Sequence, residues 1–263
     1  MVERQARVTR EGRDHLAAGF GSTGHPLVVK LETLFALSDA EKEALQALPM
    51  QVAEFAADQD IVREGDRPGQ SCTLLDGFAC TYKMTGAGKR QILSFYYRGD
   101  IPDLQSLHLG AMDNSLSTIT ACRVGLIPHL ALRDLCARHP RIAAAFWRET
   151  LADAAMFREW ILNVGRRDSR SRVAHVLCEQ VVRMRAIGLT QDHTCDLPLT
   201  QVALADAVGL SIVHVNRMLQ ELRGAGLISW NGARLVVLDW DRLRAEADFD
   251  PAYLHLRSGR AVA

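Results

Sequence analysis

Hydrophobic and polar positions change their rhythm three times along this chain. Residues 31–48 read as a short helical entry, in which Ser38 and Glu41 stand at capping-box spacing. From Val52 to about Pro128 short β-rich runs alternate with turn signals. The runs "CTLL", "ACTYKM", "RQILSFYY", "LSTITAC" and "RVGLI" read as strands, and "EGDRPG", "LDG", "TGAGKR" and "YRGD" as turns. Several short strands at this spacing predict a small β barrel or roll.

After Pro128 the rhythm becomes helical. "HLALRDLCARHP" predicts a short helix ended by Pro140. Arg141 to about Gly165 then runs without Pro or internal Gly, a helix of about 35 Å at roughly 1.5 Å per residue. Two apolar stripes are expected on it, one of Ile142, Phe146, Phe157, Ile161 and Val164, the other of Trp147, Leu151, Ala154 and Ala155. A helix apolar on two sides must be covered twice. The roll can cover one side, and the same helix of a second chain is the simplest cover for the other.

"RRDSRSRVAHVLCEQVVRMRAIGL" is a further amphipathic helix, with Ser169 or Ser171 near its start and Gly188 at its end. "TQVALADAVG" is a short helix closed by Gly209, and Ser211 can cap the next one. In that helix Val215, Met218, Leu219 and Leu222 form one buried face. "LISWNGARLVVLD" follows as a hairpin around Asn-Gly. Helix, tight turn, helix, hairpin is the order of a winged helix-turn-helix. In that motif the second helix enters the major groove of double-stranded DNA. Its outer face carries Ser211, Val213, His214, Asn216, Arg217 and Gln220. Arg217 can bond guanine O6 and N7 together, Asn216 can meet adenine or phosphate, and His214 on the flank can meet phosphate.

Charge sharpens this picture only locally. The 263-residue chain has 31 basic and 31 acidic residues, but from Arg166 to Arg234 nine Arg face six acids, a net +3. Hydrophobic content of 48% supports a packed core. With no run of eighteen apolar residues and no export-type apolar stretch at the start, the expectation is a cytoplasmic protein without a membrane span. The six cysteines form no C-x-x-C pair, so reduced thiols and no metal site are expected. No P-loop, HExxH or nucleophile–base pair marks an enzyme.

"IVREGDRPGQSCTLLDG", "GKRQILSFYYRGD", "TACRVGLI", the long helix, "RDSRSRVAHVL" and the helix-turn-helix, in this order, resemble the CRP/FNR family of bacterial transcription regulators. The resemblance covers roughly residues 30 to 245 and looks most like its orphan or FixK-like branch. It implies an α+β fold with an N-terminal β-roll of the cyclic-nucleotide-binding, jelly-roll type, a long dimerisation helix and a C-terminal winged helix-turn-helix. The expected segments are a flexible tail at 1–27, the roll at 28–137, the dimerisation helix at 138–166, the DNA-binding domain at 167–245 and a C-terminal tail at 246–263. It also implies homodimers on palindromic promoter sites and contact with RNA polymerase.

The departures bear on the effector. Members that bind cyclic AMP carry a Gly-Glu after the "GD" and an Arg-Ser about ten residues later. Here those slots hold Ile101-Pro102 or Asp103-Leu104, and Met112-Asp113. A cyclic phosphate needs a cation or several N–H donors, which Met112 lacks and Asp113 opposes. The Thr-Ser pair that meets the adenine is replaced by Phe157-Arg158. The reading is therefore a degenerate or altered effector pocket without cyclic AMP. Iron–sulfur-binding members have clustered N-terminal cysteines, and here the first Cys is Cys72. Haem is left open, since none of the nine histidines is singled out. The alternative is an effector-independent regulator controlled by its abundance or by thiol redox state. One further slot differs. The family places a Glu two residues after the recognition-helix cap and an Arg four residues later; here these are Val213 and Arg217.

Overall fold

The computed structural model describes residues Gly24–Arg257 and a two-residue strand, Arg7–Val8. The chain divides into two compact units, one of residues 1–83 with 94–150 and one of residues 84–93 with 151–263. The tail expected at 1–27 is ordered where it is described. Arg7–Val8 (β1) pairs antiparallel with β2 (Gln51–Phe55), and Pro26 opens helix α1 (Pro26–Leu31). The rest of that tail lies outside the described residues.

In the first unit α1 is followed by α2 (Asp39–Gln46). The capping box read from the sequence is formed. Ser38 Oγ accepts from Glu41 N at 3.3 Å, and Glu41 Oε2 accepts from Ser38 N at 2.7 Å. The remaining strands of the roll are β3 (Asp60–Val62), β4 (Gln70–Asp76), β5 (Ala79–Met84), β6 (Arg90–Tyr96), β7 (Ser115–Thr118) and β8 (Cys122–Pro128). They make two four-stranded sheets, in the orders β1-β2-β8-β4 and β3-β7-β5-β6. Ala53, Leu74, Leu116 and Val124 pack at zero exposure in the core of the roll.

"LSTITAC" is not one strand. The chain leaves β7 at Thr118, turns, and enters β8 of the other sheet at Cys122. Hydroxyl bonds to backbone far away in sequence hold the turn. Thr118 Oγ1 donates to the Ala56 carbonyl at 2.6 Å, and Thr120 Oγ1 accepts from Phe78 N at 2.9 Å. Gly77, at φ +93°, lies against the same turn, where a Cβ would come within 2.4 Å of the Ala121 carbonyl.

Helix α3 (His129–Arg138) follows, then α4 (Pro140–Arg166), 27 residues and about 40 Å long. Pro140, expected to end α3, instead opens α4, where its missing N–H costs nothing. The two stripes on α4 are phased differently from expectation. The buried one is Ile142, Ala145, Phe146, Glu149, Ala152, Ala155, Met156, Trp160 and Asn163. The exposed one holds Trp147 (70%), Leu151 (55%) and Ile161 (70%). Ile161 thus changes stripe, because its 19-residue separation from Ile142 leaves it about 100° round the helix, and Ala155 changes the other way.

The second unit is built round α5 (Ser169–Ala186). Its cap is Asp168, whose Oδ1 accepts from the Arg170 and Ser171 N–H groups, in place of either serine. Every residue from Val173 to Met184 is buried. Around it lie β9 (Thr190–Gln191), β10 (Thr194–Asp196), α6 (Gln201–Val208), α7 (Ile212–Gly224), β11 (Ile228–Asn231), β12 (Arg234–Val237) and α8 (Trp240–Glu246). The strands form one sheet, β11-β12-β10-β9. Residues 247–257, expected as tail, are packed. They contain a 3-10 turn at Pro251–Leu254 and bury Phe249 and Leu254.

One charged group in the roll is buried without a cation bonded to it. Asp103 is 1% exposed, and both its carboxyl oxygens accept from Cys72 N, at 2.9 and 3.2 Å. Burial pushes its pKa up to about 7. The folded chain therefore keeps a proton that the unfolded chain releases near pH 4, so this group favours folding at acid pH. Its contribution is lost as pH rises through about 7. Asp103→Asn is expected to remove that loss. Denaturant melts of both proteins between pH 5 and 8 should show the native protein falling relative to the variant, by up to about 1.4 kcal/mol per pH unit between 5 and 7. Parallel profiles would contradict it.

Candidate nucleic-acid interface

Helices α6 and α7 meet at 100° across a tight turn. Thr200 Oγ1 caps α6 by accepting from Ala203 N at 3.1 Å. Gly209 ends α6 in the left-handed region, at φ +67°, which a residue without Cβ enters at no steric cost. Ser211 then caps α7, its Oγ accepting from His214 N at 3.2 Å. Val215, Met218, Leu219 and Leu222 are the buried face of α7, as their spacing predicts. The two helices thus hold the angle and turn of a DNA-binding helix-turn-helix.

The outer face of α7 is open. Val213 is 80% exposed, and Ser211, Arg217 and Gln220 are exposed; His214 and Asn216 are half-buried on its flanks. All six residues singled out from the sequence therefore lie in the first two and a half turns of one helix. Arg217 Nη2 bonds His214 Nε2 at 3.0 Å, and its Nε stands 3.8 Å from Glu221 Oε1. His214 therefore meets Arg217 rather than standing apart as a separate flank residue.

Several supports of this face were not legible. Arg172 on α5 donates to the Val208 carbonyl at 3.0 Å, holding the end of α6. Arg90 Nε meets Asp206 on α6 at 2.7 Å, and Gln91 Nε2 donates to the Ala207 carbonyl at 3.0 Å. Sequence offers no signal for bonds between residues 116 positions apart. In the wing, Asn231 pairs with Arg234, so the two-residue loop is Gly232-Ala233 rather than Asn231-Gly232. Arg234 is left exposed beside the wing's tip. Arg223 donates to the Trp230 carbonyl at 2.9 Å and ties the wing to α7.

The positions that correspond to a nucleotide pocket are distributed differently. In the roll unit Met112 is buried, with its backbone bonded to Gly65 and Asp66, and Asp113 is exposed. Asp103 spends its carboxyl on Cys72 N. On α4, Phe157 is half-buried and Arg158 exposed. All six cysteines are free, and five are buried. Burial raises the thiol pKa of Cys72, Cys122, Cys136, Cys178 and Cys195. Among the described residues no group of three or more His, Cys, Asp or Glu side chains is placed to hold a metal ion, and no single helix is long and apolar enough to cross a membrane.

Comparison with known proteins agrees with this reading. Residues 52–139 match the cyclic nucleotide-binding domain and residues 171–246 the Crp-like helix-turn-helix domain. The transcriptional activator protein FnrL of Cereibacter sphaeroides is 26% identical over 227 residues, covering 84% of this chain and 90% of its own length. The nitrogen fixation regulation protein FixK of Azorhizobium caulinodans is 25% identical over 186 residues, covering 71% and 74%. The fold is that of FixK2 from Bradyrhizobium japonicum, at a TM-score of 0.68 and 24% identity over 75% of this chain and 97% of that one. With a roll of the cyclic-nucleotide-binding type, a Crp-like helix-turn-helix and transcriptional activators as relatives, the chain is a transcription regulator rather than an enzyme, and its two matched domains are those of the CRP/FNR family.

Proposed function

We propose that the chain acts in the cytoplasm as a homodimer that reads a palindromic promoter site, one α7 in the major groove of each half-site, and there contacts RNA polymerase. The carrying observation is the exposed stripe of α4. Trp147, Leu151, Ala154, Arg158 and Ile161 follow a 4-3-4-3 spacing, the seam of a two-stranded coiled coil. Large apolar side chains in that register are stabilised by burial against a second copy. Cyclic AMP is not its effector. The slot that would need a cation holds buried Met112 and acidic Asp113. The raised thiol pKa values disfavour the thiolate and argue against control through a reactive cysteine. Neither an iron–sulfur cluster nor a haem is assigned to it.

Light scattering at micromolar concentration should return about twice the 29.1 kDa chain mass. Ile161→Asp should shift that mass to the monomer, because a charge buried unpaired in the seam costs several kcal/mol. A monomeric native protein would refute the architecture.

Titration calorimetry with cyclic AMP and with cyclic GMP should give no heat up to about millimolar, where binding would be worth only about 4 kcal/mol. Micromolar binding of either would show that the pocket is intact.

Selection of sites from random DNA should return an inverted repeat with a guanine opposite Arg217, departing from the usual family half-site where a Glu would read and Val213 stands. Val can pack on a thymine methyl but cannot accept from a base amino group. Arg217→Ala should cost about 1–3 kcal/mol and relax one base pair per half-site. Val213→Glu should move preference towards cytosine or adenine. An unaltered sequence preference in the Arg217 variant would contradict this assignment.

A further inference from the structure

The Crp-like match ends at residue 246, but the chain goes on burying side chains as far as Leu254. Those last residues converge on a buried carboxylate. Glu179, in the middle of α5, has zero exposure. Its Oε2 accepts from Trp160 Nε1 of α4 at 3.0 Å and from the Tyr253 hydroxyl at 2.8 Å. Its Oε1 accepts from Gln180 Nε2 at 3.2 Å and faces Arg183 Nη1 at 3.5 Å. A buried carboxylate is stable only when met in this way, so each donor is held in place by the others.

Two more bonds tie the same three segments together. The Tyr253 hydroxyl oxygen also stands 3.1 Å from His175 Nε2 of α5, while His175 Nδ1 faces the Ala247 carbonyl at 3.3 Å. The His175 ring stacks on Tyr253, at 5.9 Å between centroids, and meets Phe249 edge-on at 5.2 Å. Arg167, in the break between α4 and α5, donates to Glu159 of α4 at 2.7 Å and to the Asp248 carbonyl at 3.0 Å. Thus the end of α4, the middle of α5 and the C-terminal segment share one buried polar cluster.

We infer that residues 247–257 are a strap that fixes α4 to α5, and that Tyr253 and Glu179 are positioning residues for recognition of two half-sites at a set spacing. This rests on the dimer and palindrome proposed above. A single half-site needs only the face of α7. Two half-sites about 34 Å apart need both α7 helices held at one separation. That separation is set where α4, which carries the dimer seam, joins α5, against which α7 packs. Two residues of backbone, Arg167 and Asp168, join these helices; Trp160–Glu179 and Asn163–Arg172 bonds cross the joint directly, and the strap adds Tyr253 and Asp248 to it. If the joint loosens, the second half-site binds at a lower effective concentration.

The test uses the full chain and the inverted repeat recovered by selection, with its central spacer at native length or changed by one base pair either way, and an isolated half-site. Tyr253→Phe removes only the hydroxyl; Tyr253→Ala also removes the ring. The native protein should prefer its own spacer by at least tenfold. Both variants should keep the half-site affinity within twofold and lose most of the spacer preference, Tyr253→Ala more than Tyr253→Phe. Simple loss of stability would weaken every site in proportion and leave the spacer ratio unchanged. An unchanged ratio in both variants, or in Tyr253→Phe alone if Tyr253→Ala does not fold, overturns the inference. A native protein indifferent to the spacer overturns the two-half-site reading itself, and this inference with it.

Discussion

A helix of about 40 Å with apolar residues on two faces is the constraint from which the rest of this molecule follows. One face of α4 is used at home, through Ile142, Phe146, Met156 and Trp160. The other presents an indole and two branched aliphatic side chains more than half exposed. Burying each such side chain is worth about 1.5–3 kcal/mol, so a seam that repeats across a two-fold axis collects that gain twice. In the dimer proposed above, the two-fold axis would set the symmetry of the DNA that is read. It also makes the joint between α4 and α5 the place where geometry is transmitted to α7.

Two of the buried carboxylates, Glu179 and Asp103, are treated differently. Glu179 is surrounded by donors from α4, α5 and the C-terminal segment, so its charge organises the elements around it. Asp103 is met by the Cys72 N–H, and burial favours its neutral form and raises its pKa to about 7. The former stabilises a particular arrangement of helices. The latter lies in the loop where family members that bind cyclic AMP keep a ribose-binding Glu, and it faces inward to Cys72 instead.

What could be read from the sequence is what local chemistry determines. The helix-turn-helix was legible because Ser211, Gly209 and the Val215–Leu222 stripe each act within a few residues of themselves. The capping box at Ser38 and Glu41 was legible for the same reason. The break inside "LSTITAC" was not, because the turn depends on Thr118 and Thr120 bonding to backbone about 42 to 62 residues away. The stripes of α4 were misphased because apolar residues were grouped across the true period: at about 3.6 residues per turn Ile161 stands about 100° from Ile142, and Ala155 about 100° from Ala154. The C-terminal segment read as a tail because its apolar residues follow no helix or strand period, and the partners of Tyr253 lie on a helix far earlier in the chain.

The recognition face itself follows from a balance of small energies. In the free protein Arg217 is turned along its own helix, bonded to His214 and near Glu221. Exposed pairs of this kind are worth at most about 1 kcal/mol. A bidentate contact with guanine is worth about 1–3 kcal/mol in discrimination. Releasing Arg217 therefore costs less than the contact returns, while His214 and Glu221 restrict the rotamers from which it starts. Val213 needs no such restraint. Its branched side chain has few rotamers, stands 80% exposed at the tip of α7 and has no polar group to desolvate. On the proposal made above, the face would combine one adjustable charged reader with one rigid apolar one, suited to a guanine beside a thymine methyl.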